Sequence, residues 1–235
     1  MEIDTQTIVS VAAYTGGGLA MGLGAIGAAI GEGYTAAQAN VAVSRDPKNS
    51  SEIFKNMLVG QAVAESASIF ALVIAILLLF LDVPVPTLLK AAALFGAGIS
   101  IGFGAIGSGI GSGYPGGKAC TGIARQPAIA SQLTTNMLIG SAVCQTPAIF
   151  SMVVALMLMF INFGDAPLYP TWAAYLGAGI SMGLAAIGSG YGGGLAAGAS
   201  CEGIARKPKT AANVTTIKPV SYTHLTLPTK EDGWG

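Results

Sequence analysis

Five long stretches of this sequence carry almost no charged side chains, and they constrain its fold more than any other feature. A helix needs about 20 residues to cross the hydrocarbon core of a bilayer, and each stretch is longer than that. Backbone polar groups in lipid must be satisfied within their own segment, so each stretch is predicted to form a transmembrane helix. The stretches are 5–31, 56–81 (interrupted only by Glu65), 91–117, 126–164 and 166–201.

The composition supports a membrane protein. Charged residues make up 9% of the chain, against about 25% in soluble domains, and the mean hydropathy is +0.65. The formal net charge is zero, which gives no indication of a nucleic-acid partner. The odd number and wide spacing of the cysteines argue against a disulfide or zinc framework. We interpret Cys120, Cys144 and Cys201 as small buried packing residues.

The chain is internally repetitive. The segment GAIGAAIGEGY at 24–34 returns as GAIGSGIGSGY at 104–114, with an offset of 80 residues. The apolar segment at 57–80 returns at 137–160 with the same offset, and a third copy begins near residue 175 with an offset of 81. Because both helices of the unit repeat together, the repeating unit is a helical hairpin.

These repeats predict an all-α membrane protein built from tandem transmembrane hairpins. Five helices are visible, and we expect the sixth to be lost or truncated. After Thr216 the sequence has no apolar run and no counterpart in the other hairpins. We therefore expect 217–235 to be a non-native tail, and we assign no role to its histidine, His224. The predicted units are hairpin 1 at 5–82, hairpin 2 at 88–162 and the incomplete hairpin 3 at 171–216.

A short polar turn separates the helices of each hairpin. These turns and the residue after each carry six of the eleven basic residues, whereas the connections between hairpins carry Lys90 alone. The positive-inside rule therefore predicts that the turns are cytoplasmic. The turns are Arg45-Asp46-Pro47, Arg125-Gln126-Pro127 and Arg206-Lys207-Pro208.

The first helix of each hairpin carries glycines four residues apart, such as Gly18 with Gly22 and Gly98 with Gly102. Small residues at this spacing let helix backbones approach closely. The second helices are bulky and end in Leu, Ile, Met and Phe. This asymmetry predicts concentric packing, with the glycine-rich helices inside and the bulky helices facing lipid.

Glu65 is an ionisable residue well inside the second predicted helix, far from Lys55 and Asp82 at its ends. An ionisable side chain within the bilayer is costly, and by default it indicates a functional site. We therefore predict that Glu65 carries an ion. The alternative interpretation is a glutamate that faces a solvated cavity or is held neutral by packing.

Glu32 is the second candidate. Counted from Asp46 at 1.5 Å per residue, Glu32 lies about 21 Å and Glu65 about 28 Å from the turn, so helix tilt or an asymmetric turn must bring them together. A facing pair of carboxylates would titrate as a unit. With the Ser66 hydroxyl and a backbone carbonyl, for which we select Val63, the pair supplies oxygen ligands that suit a hard cation. The alternative for Glu32 is a helix-end residue near the membrane interface.

Hairpin 2 has different chemistry at the equivalent positions. Gln145 replaces Glu65 and Ser112 replaces Glu32, so neither position can release a proton or carry a charge. Pro147 follows within the predicted helix. The visible chain therefore has one ionisable site for two complete hairpins.

With these residues, the chain resembles the rotor proteolipids, or c-subunits, of rotary ATP synthases and ATPases. The resemblance covers about 10–216, and its motifs are the glycine-rich first helix, the Arg-Gln-Pro-like turn and GQAVAES at 60–66. The turn and GQAVAES look F-type, whereas fused hairpins with a lost carboxylate are more similar to the proteolipids of vacuolar-type pumps. The resemblance implies a multi-pass rotor protein in the membrane, here the plasma membrane of a prokaryote.

The resemblance also implies partners and a mechanism. Glu65 would carry Na⁺ or H⁺ past the a-subunit of the stator, while other c-subunits complete the ring. The Arg-x-Pro turns would contact the subunits of the central stalk. The chain itself would be a non-catalytic part of the complex and would need no cofactor, because the ion is its cargo.

Similarity to sodium-carrying members favours Na⁺ over H⁺. Those members have Gln or Glu at the position of Glu32, and a Ser follows their ion-binding Glu as Ser66 does here. The metal ligands would then include Glu65, Glu32 and Ser66. Phe70 is a departure, because sodium-type members have a Tyr there whose hydroxyl bonds the glutamate.

A secondary transporter with an intramembrane glutamate is the alternative function. Such transporters often contain internal repeats, but usually with inverted topology. A two-helix repeat keeps its orientation in the membrane, so the repeat pattern favours the rotor protein.

Overall fold

The computed structural model describes residues 4–162 and 168–210, and within these ranges it is helical, without strands. The helices are α1 (Thr5–Arg45), α2 (Ser50–Phe80), α3 (Leu88–Arg125), α4 (Ala130–Cys144), α5 (Thr146–Phe160) and α6 (Leu168–Arg206). Five segments are long and apolar enough to span a membrane, with α4 and α5 together forming one of them. The predicted all-α membrane fold with five visible spans is confirmed. The expected tail, 217–235, lies outside the described residues.

Each Arg-x-Pro turn ends one helix and begins a short 3₁₀ turn. Proline cannot donate the hydrogen bond that would continue a helix, and it disfavours helical backbone at the residue before it. In the first turn, Asn49 Nδ2 donates to Asp46 Oδ2 at 2.6 Å, which ties the connection together. The 3₁₀ turns are Pro47–Asn49, Pro127–Ile129 and Pro208–Thr210.

The glycine-rich helices α1, α3 and α6 form a row in which α3 packs against both neighbours. Gly16 of α1 lies against Leu94 of α3, and Gly31 lies against Gly109. Residue numbers rise together along both helices, so α1 and α3 run parallel. This is the arrangement expected when whole hairpins repeat side by side.

The row depends on glycine at the points of closest approach. A Cβ atom at Gly27 would lie 2.5 Å from the Ile106 Cα, and one at Gly107 would lie 2.6 Å from the Ile187 Cα. Real Cβ atoms essentially never come this close to another atom. The predicted close backbone approach of the first helices is therefore present at both junctions. It is absent at Gly18 and Gly22, where the prediction was wrong, because a Cβ there would meet no atom within 4 Å.

The bulky helices pack on the outside of this row. Gly17 of α1 lies against Ala75 of α2, whereas Gly31 lies against Ala64, so α1 and α2 are antiparallel. Concentric packing stays a prediction, because large apolar side chains are exposed on α1, as at Ile26 and Ile30, as well as on α2 and α5. Examples on α2 and α5 are Leu72, Val73, Ile76, Phe80, Val153, Met157 and Phe160.

The outer helix of hairpin 2 is divided at Gln145. The sequence predicted one continuous helix through Pro147, but α4 ends at Cys144 and α5 begins at Thr146. Proline lacks a backbone N–H and its ring clashes with the carbonyl four residues earlier. The backbone N–H of Gln145 donates to the Ala142 carbonyl, three residues earlier, at 3.1 Å.

All three cysteines are buried thiols outside any disulfide, as predicted. Asn56 Nδ2 donates to Cys120 Sγ at 3.2 Å, and Asn136 Nδ2 donates to Cys201 Sγ at 3.3 Å. The same contact thus joins hairpin 1 to hairpin 2 and hairpin 2 to hairpin 3. It shows that the two junctions are built alike.

Candidate ion-binding sites

Glu65 lies near the middle of α2, fifteen residues after its first residue, and its side chain is exposed. Ser68 Oγ donates to the Glu65 backbone carbonyl at 2.7 Å. This hydrogen bond does not involve the carboxylate oxygens of Glu65. Ile69 and Leu72 nearby are also exposed. The carboxylate therefore lies on the apolar outer surface of the chain, where lipid or a neighbouring protein can meet it.

Glu32 lies at the same depth as Glu65. The residues before them are side by side, because a Cβ at Gly31 would lie 3.3 Å from the Ala64 Cβ. Glu32 is half-buried, and it directly follows Gly31 as Glu65 directly follows Ala64. The two candidate carboxylates of hairpin 1 are therefore neighbours.

The depth predicted for Glu65 was too large because Pro47–Asn49 form a 3₁₀ turn and α2 begins only at Ser50. Glu32 lies thirteen residues before the end of α1, and Glu65 lies fifteen residues after the start of α2. These separations correspond to about 20 and 23 Å along the two helices. The asymmetric turn accounts for most of the difference that the sequence count gave.

A hydrogen bond joins the other two predicted ligands, Val63 and Ser66. Ser66 Oγ donates to the Val63 carbonyl at 2.6 Å. The same carbonyl accepts a second hydrogen bond at 2.8 Å, from Gln145 Nε2 of hairpin 2. The Val63 carbonyl therefore belongs to the junction between hairpins 1 and 2.

Hairpin 2 presents a buried polar cluster at this junction. Gln145 is 7% exposed and Ser112 is fully buried. Gln145 Nε2 donates to Ser112 Oγ at 2.5 Å as well as to Val63. Ser112 Oγ donates in turn to the Ser108 carbonyl at 2.7 Å, and Ser141 Oγ donates to the Ser112 carbonyl at 3.0 Å. Gln145 Oε1 is buried and has no hydrogen-bond partner among the described residues.

An equivalent hydrogen bond joins the inner helix to the outer helix within each of the two hairpins. Gln61 Nε2 donates to the Glu32 carbonyl at 3.4 Å, and Ser141 Oγ donates to the Ser112 carbonyl at 3.0 Å. Gln61 and Ser141 are 80 residues apart, as are Glu32 and Ser112. This contact between the inner and outer helices is therefore kept, although the outer helix of hairpin 2 is broken at Gln145 and the side-chain chemistry differs.

Ser108 also belongs to the cluster, and the sequence alone did not single it out. Ser108 Oγ accepts a hydrogen bond from the Ala148 backbone N–H at 3.0 Å. Ala148 lies in the first turn of α5, where backbone N–H groups have no partner in their own helix. Comparison of positions 80 residues apart reveals the signal, because Ala28 is the counterpart of Ser108 and Gln61 is that of Ser141.

A charged cluster joins α3 to α6 near the Arg-x-Pro turns. Glu202 Oε2 lies 3.0 Å from Lys118 Nζ, and Glu202 Oε1 lies 4.0 Å from an Arg125 nitrogen. Arg206 pairs with the same carboxylate. This cluster was not predicted from the sequence, because it depends on which faces of α3 and α6 meet. It is separate from the candidate ion site.

The sequence profile of the ATP synthase C subunit matches this chain three times, at residues 15–78, 95–158 and 176–217. The chain belongs to the ATP synthase c-subunit family. Single relatives each match about a third of it. The ATP synthase c-subunit of Natranaerobius thermophilus is 49% identical over 78 residues, 33% of this chain and 90% of that protein. That of Petrotoga mobilis is 47% identical over 68 residues (29% and 71%), and the chloroplastic one of Ostreococcus tauri is 47% identical over 75 residues (32% and 92%).

Membership in this family establishes the general role of the molecule. Proteins of this family assemble with other ATP synthase subunits in the c-ring of a rotary ATPase, and the membrane-spanning helices fit that role. The three matches, spaced like the sequence repeats, confirm a multi-hairpin member of the family.

Proposed function

We propose that this rotor protein carries Na⁺ on Glu65 across the membrane, with H⁺ as the alternative ion, coupled to ATP synthesis or hydrolysis. The observation that carries the proposal is the position of Glu65, a carboxylate exposed on the outer surface halfway along a membrane-spanning helix. Gln145, its counterpart in hairpin 2, is buried and uncharged. Between residues 4 and 162, Glu65 is thus the outer-helix carboxylate available at this depth.

In the proposed cycle, Glu65 takes up an ion from an aqueous path in the a-subunit of the stator. Glu32 lies beside it and adds oxygen atoms and negative charge, which strengthen cation binding. The bound ion neutralises the carboxylate, and this lowers the cost of moving it past lipid. On return to the stator, a cationic side chain there competes for the carboxylate and the ion leaves.

The repeat geometry indicates what completes the site. Gln145 bonds to the Val63 carbonyl of the hairpin before it. If Glu65 is placed as Gln145 is, its side chain extends toward the equivalent carbonyl of the hairpin that precedes hairpin 1 in the ring. That hairpin belongs to another chain. Val63 and Ser66 therefore represent the ligand types that a neighbouring hairpin supplies.

The oxygen-rich surroundings support Na⁺. A hydroxyl of the Ser66 type, a carbonyl of the Val63 type and two carboxylates match the preference of hard cations for oxygen ligands. Phe70 packs against the apolar core and offers no hydroxyl to bond the glutamate, unlike the Tyr of sodium-type members. The proposed cation ligands are Glu65, Glu32 and a Ser66-type hydroxyl.

The loss of one carboxylate has an energetic consequence. Each charge that crosses the membrane contributes about 2.3 kcal/mol per 100 mV. A ring with one ion site per two complete hairpins moves fewer ions per turn, so less energy is available for each ATP made. Such a ring favours ATP-driven pumping, or it lowers the ion-to-ATP ratio when mixed with single-hairpin c-subunits.

The remaining assignments follow from the same arrangement. The three Arg-x-Pro turns carry basic side chains, and we assign them to contact with the central stalk. The units 5–82, 88–162 and 171–216 are proposed as hairpins of one ring, in the plasma membrane of a prokaryote, which the bacterial relatives support. Parallel packing of α1 with α3 is unlike the inverted repeats of secondary transporters.

Carbodiimide labelling of the full chain in its ring tests the proposal. The reagent modifies a protonated carboxyl in an apolar setting, so the Glu65 peptide should carry the adduct at mildly acidic pH. Na⁺ should protect that peptide if Na⁺ is the ion, because an occupied carboxylate does not react. Asp82, exposed beyond the end of α2, is the internal control and should show no ion protection. Absence of labelling at Glu65 at low pH would overturn the proposal.

A further inference from the structure

We propose that the Gln145 amide is a fixed substitute for the transported cation, which keeps the junction between hairpins 1 and 2 closed without an ion. The inference rests on the proposed function, since it assumes that the equivalent Glu65 position binds an ion. It adds that position 145 is a latent ion site whose cation position is filled by an N–H donor group.

The geometry of the amide nitrogen carries the inference. Gln145 Nε2 lies 2.8 Å from the Val63 carbonyl of hairpin 1 and 2.5 Å from Ser112 Oγ of hairpin 2. A side-chain amide has two N–H donors, and each of them meets one oxygen. The nitrogen thus bridges oxygens from two hairpins, which is the bridging role of a cation at such a junction.

Ser112 is adapted to an amide in this place. Its hydroxyl accepts from Gln145 Nε2 at 2.5 Å and has two acceptors for its own proton, the Ser108 carbonyl at 2.7 Å and the Ser141 carbonyl at 3.4 Å. Glu32 at this position in hairpin 1 is an ionisable carboxyl group instead. The replacement of both carboxylates removes the charge that would need a cation and supplies a neutral donor and a neutral acceptor. A buried amide with satisfied N–H groups avoids the cost of an unpaired buried charge.

The side-chain oxygen of Gln145 indicates what an ion site at this position would require. Gln145 is 7% exposed, and its Oε1 atom is buried without a hydrogen-bond partner among the described residues. In Gln145→Glu a carboxylate would replace the amide, and a cation bound to it would take over the bridge to the Val63 carbonyl and Ser112 Oγ that the amide nitrogen now makes. Val63, Ser112 and this carboxylate would then offer a cation oxygen ligands from both hairpins. One substitution should therefore restore an ion site at the junction.

The test compares two introduced carboxylates in the full chain, assembled in its ring. Gln145→Glu places one inside the junction, and Ile149→Glu places one about a turn further on, where the Ile149 side chain is exposed. Carbodiimide adducts are mapped by peptide mass spectrometry with and without Na⁺ and across a pH series. If Na⁺ is the ion, Na⁺ at ten times its dissociation constant should slow labelling at position 145 about tenfold, because only the empty site reacts. If H⁺ is the ion, labelling at position 145 should instead follow the pH dependence of Glu65, because the reagent modifies the protonated carboxyl. Labelling at position 149 should show neither response.

Each outcome decides the inference. Ion protection at position 145, reduced when Ser112→Ala is added, supports the latent site. Labelling without protection, equal to that of Ile149→Glu, overturns it, and so does a carboxyl at 145 that never reacts while Glu65 does. Failure of wild-type Glu65 to label would instead contradict the proposed function. In that case, carbodiimide labelling at position 145 is measured both with Na⁺ and across pH. A response of Gln145→Glu that is missing from Ile149→Glu would still establish the latent site.

Discussion

Hairpins 1 and 2 place different chemistry on backbones that correspond except at the helix break beside Gln145. In hairpin 1, Glu65 is exposed at the outer surface and Glu32 lies beside it, so two carboxyl groups lie at one depth. In hairpin 2, Gln145 and Ser112 occupy the equivalent positions, buried and hydrogen-bonded. In the proposed function the first site needs an ion and a neighbouring hairpin, whereas the amide nitrogen of the second already has two partners within the chain.

The difference shows how a repeat can lose activity and keep its structure. The bond from the outer helix to the inner-helix carbonyl is present in both hairpins, through Gln61 in one and Ser141 in the other. Replacement of a carboxylate by an amide removes the charge, but a buried amide still needs partners. Ser112 and the Val63 carbonyl supply them for the amide nitrogen. Hairpin 2 therefore remains a structural member of the ring.

The largest effect on ion transport is expected from a substitution in hairpin 1 alone. Glu65→Gln should reduce ATP-driven ion uptake to background in liposomes with the assembled complex, because an amide cannot exchange an ion. Asp82→Asn, beyond the membrane end of α2, should retain uptake. Transport that persists in a ring built only from Glu65→Gln chains would show that another group carries the ion.

A smaller effect should be equal in the two hairpins, because it tests the backbone that they share. Gly27→Ala and Gly107→Ala each force a methyl group against a neighbouring inner helix, with separations of 2.5 and 2.6 Å from the nearest Cα atoms. Each should cost about 1–3 kcal/mol of stability, the usual cost of overpacking. Resistance of the ring to dissociation in detergent measures the loss.

Gly18→Ala is the matched control, since a Cβ there meets no atom within 4 Å. It should leave the stability unchanged or slightly raised, because alanine favours helix over glycine. Clearly unequal losses for Gly27→Ala and Gly107→Ala would contradict the equivalence of the two junctions.

The smallest effect should appear in hairpin 2 alone. Ser108→Ala removes the acceptor of the Ala148 N–H at the break between α4 and α5. Loss of such a cap costs about 0.5–2 kcal/mol, and hydrogen exchange at the start of α5 should quicken. The reciprocal Ala28→Ser should give no gain, since α2 is unbroken and offers no equivalent free N–H. Unchanged exchange in Ser108→Ala would show that the serine does not cap α5.

Much of the fold could be predicted from the sequence because lipid imposes few solutions. Uncharged runs marked the spans, and the 80-residue offset marked the hairpins. The depth of Glu65 was misjudged, since the 3₁₀ turn at Pro47–Asn49 shifts the start of α2. The break at Gln145 was not foreseen, although Pro147 was noted.

The buried partners of the site were harder to predict. Ser108 and Ser141 are small polar residues in segments rich in Gly, Ala and Ser, where no periodic pattern distinguishes them. The pairing of Glu202 with Lys118 depends on the facing of two parallel helices that sequence does not define. Which carbonyl meets Gln145 likewise depends on how neighbouring hairpins pack, and only coordinates identify Val63.

The number of ion-binding carboxylates per chain tests the central claim most directly. Intact mass measurement after carbodiimide labelling in the ring should show one adduct at a membrane carboxyl per chain, protected by Na⁺ if Na⁺ is the ion, and peptide mapping should locate it at Glu65. Two such adducts within 4–162, none, or a single adduct at Glu32 would contradict the claim that hairpin 1 carries the ion and hairpin 2 is silent.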